Sequence, residues 1–149
     1  MTTLFFLDAN ILIYTRDYRD PQKQKIAARW LRRLAASEQA VVNLQAINEV
    51  RHVALHKLTR LGADAIRDWT DDLKALGDTT VDEDTAAGAW AIHLKYRLSW
   101  FDCMVLSAAE RLGCSHVVTE DMGADRQIGP LNLINPFLHD VDDVLTETN

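Results

Sequence analysis

The hydrophobic pattern along this chain alternates short apolar runs with longer amphipathic segments. Leu4–Leu7 is a run of four apolar residues, which predicts a buried strand that ends at Asp8. The segment 22–36 instead carries apolar residues at helical spacing, including Ile26 and Trp30, with its arginines mostly on the outer face. Because strands and helices of this kind alternate throughout, the pattern predicts an α/β domain with a mainly parallel sheet.

The remaining elements are predicted in the same way, with glycine and proline marking many of their ends. We predict strands at 40–42, 115–118 and 131–134, an extended piece at 78–81, helices at 45–58, 65–76, 82–94 and 100–112, and a long loop at 123–130. We assign residues 1–138 to one domain and expect the acidic tail, residues 139–149, to be frayed and mobile.

The composition is that of an ordinary globular protein with an acidic balance. Of its 149 residues, 48% are hydrophobic and 26% are charged, and the net charge is −6. This charge argues against a passive nucleic-acid binder, which normally has a basic face, but is compatible with acids that a divalent cation neutralises. The two cysteines lack metal or redox spacing, and no signal peptide or membrane span is evident, so we expect a cytoplasmic protein.

Asp8 is the first candidate for function, because nothing in an apolar strand requires an acid at its end. In an open parallel α/β sheet, ligands bind at the carboxyl ends of the strands. Asn10, two residues further on, offers a neutral oxygen ligand or a helix cap. The alternative is that Asp8 only caps the helix that begins near Ala9, and the sequence leaves both interpretations open.

Three other acids are placed unusually. Glu49 lies in a predicted helix with no cation one turn away, although an exposed glutamate is the simpler interpretation. Asp102 precedes an apolar run, but Ser99 three residues earlier also fits a capping box. Asp121 lies just beyond a predicted strand, as Asp8 does after the first strand. If the four carboxylates met in one pocket, they would repel one another, and a hard ion such as Mg²⁺ or Mn²⁺ would relieve that repulsion.

At these positions the chain resembles the PIN-domain ribonucleases, specifically the VapC-type toxins of bacterial toxin–antitoxin pairs. The resemblance covers nearly the whole chain, with the matching segments in the same order and at ordinary spacing: Phe6–Leu12, Asn48–Val50, Ser99–Ala109, Val118–Met122 and Leu133–Phe137. It implies a three-layer PIN-like fold over residues 1–138, with a mainly parallel five-stranded sheet and helices on both faces.

The resemblance also implies the chemistry of the site. Asp8, Glu49, Asp102 and Asp121 would be the catalytic, metal-binding acids, with Mg²⁺ or Mn²⁺ as the cofactor. Asn10 and Thr119 would support them by hydrogen bonds. A homodimer is implied as well, together with an antitoxin whose helix lies in an apolar groove and blocks the site.

The expected reaction is the hydrolysis of RNA phosphodiester bonds, which leaves a 5′-phosphate and a 3′-hydroxyl. Arg51 and His52 directly follow Glu49 and are candidate RNA contacts. A haloacid-dehalogenase-type phosphatase is disfavoured, because Asn10 stands where that class needs a second aspartate. The remaining alternative is a catalytically inactive PIN-like scaffold that binds RNA or a protein.

Overall fold

The computed structural model describes residues 2–149 and contains five strands and seven α-helices. The strands are β1 (Phe5–Leu7), β2 (Ala40–Val41), β3 (His116–Val118), β4 (Arg126–Ile128) and β5 (Leu131–Ile134). The helices are α1 (Ala9–Tyr14), α2 (Pro21–Ala36), α3 (Leu44–Lys57), α4 (Ala63–Asp72), α5 (Glu83–Tyr96), α6 (Trp100–Arg111) and α7 (Val141–Thr148). Two 3₁₀ turns, Thr59–Leu61 and Leu73–Leu76, flank α4. None of the helices within residues 2–149 has the length and apolarity needed to cross a membrane.

The sheet order places the first and third strands side by side. The order is β2-β1-β3-β5-β4, and every pairing except β4 with β5 is parallel. In the register of β1 and β3, Leu7 lies opposite Val118. The carboxyl ends of these strands are therefore neighbours, and the residues that follow them, Asp8 and Thr119, lie at the same edge. The predicted α/β class and mainly parallel five-stranded sheet are confirmed.

One of the five strands, β4, lies where the sequence predicts a loop. Residues 126–128 form β4, which pairs antiparallel with β5 at the edge of the sheet. Arg126 and Gln127 are exposed and only Ile128 is buried, so this three-residue strand has no apolar pattern that could reveal it. The extended piece predicted at 78–81 is not a strand; it runs past the start of α3, where the Thr79 carbonyl accepts a hydrogen bond from the Leu44 amide.

The C-terminal segment is a docked helix rather than the frayed tail that the sequence predicts. Three apolar side chains of α7 are buried in the main core: Val141, Val144 and Leu145. The acids that suggested a solvated tail have partners on α2, since Asp142 accepts from Arg29 and from Arg33, each at 2.7 Å. Arg29 also bonds Asp140, the cap of α7. These contacts join residues more than a hundred positions apart, which sequence spacing alone does not reveal.

The buried core holds in place the edge of the sheet at which β1 ends and Asp8 lies. All three residues of β1 are fully buried, as is Trp30 of α2. The Trp30 indole donates to the Pro136 carbonyl at 3.0 Å, which ties α2 to the segment that follows β5. Because β1 is rigidly enclosed, Asp8 at its end has a fixed position.

Candidate active site

One cleft at the carboxyl edge of the sheet is lined by all four predicted acids. The cleft has a volume of about 230 Å³, and its acidic residues are Asp8, Glu49, Asp102 and Asp121. Its apolar walls are formed by Ala9, Ile13, Val53, Phe101 and Val105. Side chains that lie up to 113 positions apart in the chain thus share one small space.

Each acid reaches the cleft from a different element. Asp8 is the N-cap of α1 and accepts a hydrogen bond from the Ala9 amide at 2.8 Å. Glu49 lies in the second turn of α3, and Asp102 in the first turn of α6, where Ser99 is the N-cap. Asp121 lies in the loop after β3. The capping that the sequence suggested as an alternative is present at Asp8 and at Ser99, and it is compatible with a position in the cleft.

Thr119 and Asn10 join two of the acids by hydrogen bonds. The Thr119 hydroxyl donates to Asp8 Oδ2 at 2.9 Å and accepts from the Asp121 amide at 3.1 Å. The Asn10 amide nitrogen donates to Asp121 Oδ2 at 2.7 Å. The two residues expected to support the site therefore connect Asp8 with Asp121, Thr119 through the backbone of Asp121 and Asn10 through its carboxylate.

The electrostatics of the cleft oppose the ionisation of two of its acids, Asp8 and Glu49. Burial raises the pKa of Asp8 to about 6; hydrogen bonds from Thr119 and Ala9 lower it in part, while the charges of Glu49 and Asp121 raise it. Burial also raises the pKa of Glu49, and the charge of Asp102 adds to that effect. The acids are thus close enough for their charges to matter to one another.

The donor set fits a hard divalent cation. Four carboxylates and the Asn10 amide offer only oxygen towards the cleft, and Asn10 Oδ1 is buried without a hydrogen-bond partner. As they stand, no three His, Cys, Asp or Glu side chains within residues 2–149 are grouped tightly enough to hold a metal ion. The carboxylates would therefore have to move inward around a cation, which the exposed Asp121 and the half-buried Glu49 and Asp102 can do.

A second polar cluster, which the sequence analysis missed, anchors the loop of Asp121. Glu120 accepts a hydrogen bond from the Tyr14 hydroxyl. It also forms an ion pair with Lys23, in which Lys23 Nζ lies 2.7 Å from Glu120 Oε2. The Lys23 ammonium also lies 4.9 Å from the centroids of the Tyr14 and Phe137 rings. The only sequence signal was the acid beside Asp121, because Tyr14 and Lys23 reach it from distant elements.

The two candidate RNA contacts have different environments. Arg51 is already engaged, since its guanidinium bonds Asn48, Thr70 and Asp71. It joins α3 to α4 and has few free donors for a phosphate. His52 is exposed and borders a groove next to the cleft.

That groove is larger and mostly apolar. It has a volume of about 870 Å³ and shares Glu49, Val53 and Phe101 with the cleft. Its other lining residues are Leu44, Gln45, Asn48, His52, Thr80, Val81 and Met104. Phe101 stands between the two spaces with 68% of its surface exposed, so a molecule lying in the groove would reach the edge of the cleft.

Comparisons with known proteins agree with the observed fold. The family model of the PIN domain matches residues 5–127. No curated protein matches the chain by sequence.

Three solved structures share the fold at low sequence identity. A toxin–antitoxin complex from Klebsiella pneumoniae aligns with a TM-score of 0.66 and 20% identity, over 90% of this chain and 98% of that one. FitAcB from Neisseria gonorrhoeae aligns with a TM-score of 0.64 and 18% identity, over 90% of this chain and 99% of that one. VapBC2 from Rickettsia felis was solved bound to a DNA fragment from its promoter. It aligns with a TM-score of 0.63 and 13% identity, over 89% of this chain and 98% of that one.

The raised pKa of Asp8 predicts a pH-dependent gain in stability for Asp8→Asn. Folding moves the pKa from 3.8 to about 6, so ionised Asp8 disfavours the folded state. This effect is small at and below pH 4, grows between pH 4 and 6, and is complete above pH 6. Without metal at pH 8, Asp8→Asn should therefore raise the free energy of unfolding by about 3 kcal/mol, and by only about 0.5 kcal/mol at pH 4.

Urea unfolding in EDTA at both pH values measures this difference. Asp78→Asn, which changes an exposed aspartate in the loop before α5, is the matched control and should have no such pH-dependent effect. Equal stabilities of Asp8→Asn and the parent at pH 8 would contradict the electrostatic account of the cleft.

Proposed function

Because this chain belongs to the PIN domain family, we propose that it is a metal-dependent endoribonuclease and the toxin of a toxin–antitoxin pair. PIN domains are generally nucleases. The observation that carries the proposal is the convergence of Asp8, Glu49, Asp102 and Asp121 on one cleft of about 230 Å³. RNA of the cell is the substrate, which places the activity in the cytoplasm.

The residues of the cleft divide the work of hydrolysis. A bound Mg²⁺ or Mn²⁺ supplies Lewis acidity, which makes a water nucleophilic and offsets the charge that develops on the phosphate. Asp8, Glu49, Asp102 and Asp121 would hold the ion, and the Thr119 hydroxyl keeps the Asp8 carboxylate oriented. Asp102 or Asp121 also accepts the proton of the attacking water. The attack would be in line: the bond from water oxygen to phosphorus forms as the bond from phosphorus to the 3′ oxygen breaks, and the 3′ oxygen takes up a proton from solvent, which gives a 5′-phosphate and a 3′-hydroxyl.

Histidine has no part in this scheme. Among the described residues that line the cleft none is a histidine, whereas a metal-free ribonuclease relies on imidazole groups for general acid–base catalysis. The competing proposal is an inactive scaffold that binds RNA or protein. The presence of all four acids favours the enzyme, because a scaffold has no use for mutually repelling carboxylates in one cleft.

We expect the purified chain, freed of any bound inhibitor, to cleave RNA with Mg²⁺ or Mn²⁺ and not in EDTA. Asp8→Asn and Asp102→Asn should each lower the cleavage rate at least about 100-fold, because each removes an acid that holds the cation. Mapping the 5′ ends of cellular RNA after expression measures the activity and identifies the cut sites.

Two controls make the result decisive. Asp78→Asn removes an exposed acid outside the cleft and should keep full activity. A folded protein that binds RNA but leaves every RNA pool intact, with either metal, would overturn the enzyme and support the scaffold.

The apolar groove beside the cleft is the proposed binding site of an antitoxin helix. The groove opens next to Glu49 and is bounded by exposed Phe101 and Val81. The structures aligned above are toxin–antitoxin complexes or are named for such pairs, which supports a partner of this kind. A helix in the groove would block access to the acids.

We expect an antitoxin encoded by an adjoining reading frame to bind there. Val81→Asp places a charge in the groove and should weaken co-purification of that protein at least about tenfold, because an unpaired charge is costly in an apolar interface. Leu138→Asp, at an exposed leucine outside the groove, is the control. Equal binding by both variants would exclude the groove as the docking site.

An aromatic patch on α5 and α6 is the surface proposed for the homodimer. Trp90 and Leu94 lie one turn apart on α5 and are 56% and 62% exposed. The Trp90 ring lies 4.7 Å from that of Trp100. Monomeric proteins rarely expose such a contiguous apolar surface, so a second copy of this chain is the proposed cover.

Leu94→Glu should convert the dimer to a monomer in analytical ultracentrifugation, because it buries a charge at the interface. Leu55→Glu makes the same change at an equally exposed leucine on α3 and should leave the dimer intact. A monomeric parent protein, or a Leu94→Glu variant that still forms the dimer, would rule out this surface.

A further inference from the structure

The cations of the chain separate into those with an acidic partner and those without. Eight of the 16 Lys and Arg residues lie within 4.0 Å of a carboxylate. Those with no such ion pair within residues 2–149 are Arg16, Lys25, Arg32, Lys57, Arg60, Lys95, Arg97 and Arg126. In a chain of net charge −6, free cations that cluster on one surface indicate a bound anion.

Three of these cations meet around the loop that follows α1, and we call them the basic patch: Arg16, Lys57 and Arg60. The Arg16 guanidinium lies 5.5 Å from the centroid of the Trp69 ring. The Arg60 guanidinium lies 5.0 Å from the Tyr18 ring, and the Arg60 amide donates to the Tyr18 hydroxyl.

Lys57 belongs to the same patch through Asp17, which lies between Arg16 and Tyr18. Asp17 is buried, and its pKa is lowered mainly by its hydrogen bonds from Arg19, with a contribution from the charge of Lys57. Arg19 holds both Asp17 oxygens at 2.8 Å. Asp17 is therefore already neutralised by Arg19, and the charges of the basic patch remain available to a ligand.

Ordinary solvation explains these cations less well than binding does. Lys57 also suits the C-terminal turn of α3, where a positive charge is favoured by the helix dipole. Arg60 likewise lies in the last turn of the 3₁₀ turn Thr59–Leu61, and Arg16 directly follows the C-cap of α1, but aromatic rings also hold both in place while both residues stay exposed. Restraining a charge without neutralising it lowers the entropy cost of binding an anion later.

Helices α1 and α3 both run from the cleft to the basic patch, and their lengths give the distance between the cleft and the patch. Asp8 caps the start of α1, and the loop with Arg16 follows its end, six residues or about 9 Å further along. On α3, Glu49 and Lys57 are eight residues apart, which is about 12 Å. Both paths place the patch roughly two to three nucleotides from the acids along one strand.

We propose that the basic patch binds backbone phosphates of the RNA strand on one side of the scissile bond. This inference rests on the proposed ribonuclease function and adds to it the surface that holds the substrate. Phosphate contacts position the strand without reading its bases. The patch also takes the role first predicted for Arg51, whose guanidinium is occupied by α4.

The test is RNA binding in the Asp8→Asn background, which separates binding from cutting. The probe is a short fluorescein-labelled oligouridylate, measured by fluorescence anisotropy over a range of salt concentrations. The double change Lys57→Gln with Arg60→Gln should weaken binding about tenfold and reduce the slope of log K against log salt by about 1.4, since each single-strand phosphate contact contributes about 0.7.

The matched control is Lys25→Gln with Arg32→Gln. This pair also removes one Lys and one Arg without ion pairs, but on α2, and it should bind as the parent does. In the cleaving enzyme, the patch variant should raise KM and leave kcat nearly unchanged, which a general loss of structure would not do.

The outcomes separate this inference from the proposed function. Equal losses of RNA affinity in the patch and control variants would show an effect of net charge only and would overturn the proposed binding role of the patch. A parent that binds no oligouridylate would overturn it as well. If the parent binds RNA through the patch but never cuts, the ribonuclease proposal fails while the binding surface stands. If it cuts and the patch variant is unaffected, the patch fails and the ribonuclease stands.

Discussion

The hydrogen bond from Thr119 to Asp8 is the contact on which the geometry of the cleft depends. Its donor follows β3 and its acceptor follows β1, so it exists only because these strands are parallel neighbours in register. The same Thr119 hydroxyl accepts from the Asp121 amide. One fully buried side chain thus binds the carboxylate of Asp8 and the backbone of Asp121, which come from distant parts of the chain, and α3 and α6 bring Glu49 and Asp102 to the same place.

This arrangement is electrostatically costly, and the fold tolerates it because the surrounding structure is rigid. Burial is the main reason that the pKa of Asp8 rises to about 6, and the charges of Glu49 and Asp121 contribute to the rise. The carboxylate cannot move away, since β1 is fully buried behind it and its own helix begins at the next residue. A site that is unfavourable when empty of cations is suited to bind one, because the ion relieves a repulsion already present.

The surface around the cleft is divided by charge and polarity. Arg29 and Arg33 neutralise the acids of α7, and Arg51 joins α3 to α4, so these cations serve the fold. The basic patch lies beyond the end of α1, whereas the apolar groove opens beside Glu49. Substrate and inhibitor would thus approach the acids over different surfaces and meet near Phe101.

The sequence by itself determined most of the elements and singled out the candidate acids. Apolar runs and helical spacing are local properties, so β1, β5 and most helices could be predicted, and an acid at the end of a buried strand is conspicuous wherever it occurs. Tertiary structure decided what depends on partners: β4 exists through pairing with β5, α7 through the arginines of α2, and the Glu120 anchor through Tyr14 and Lys23. Whether Asp8 only caps a helix or also faces other acids was likewise undecidable from spacing, because the answer lies in contacts across more than a hundred residues.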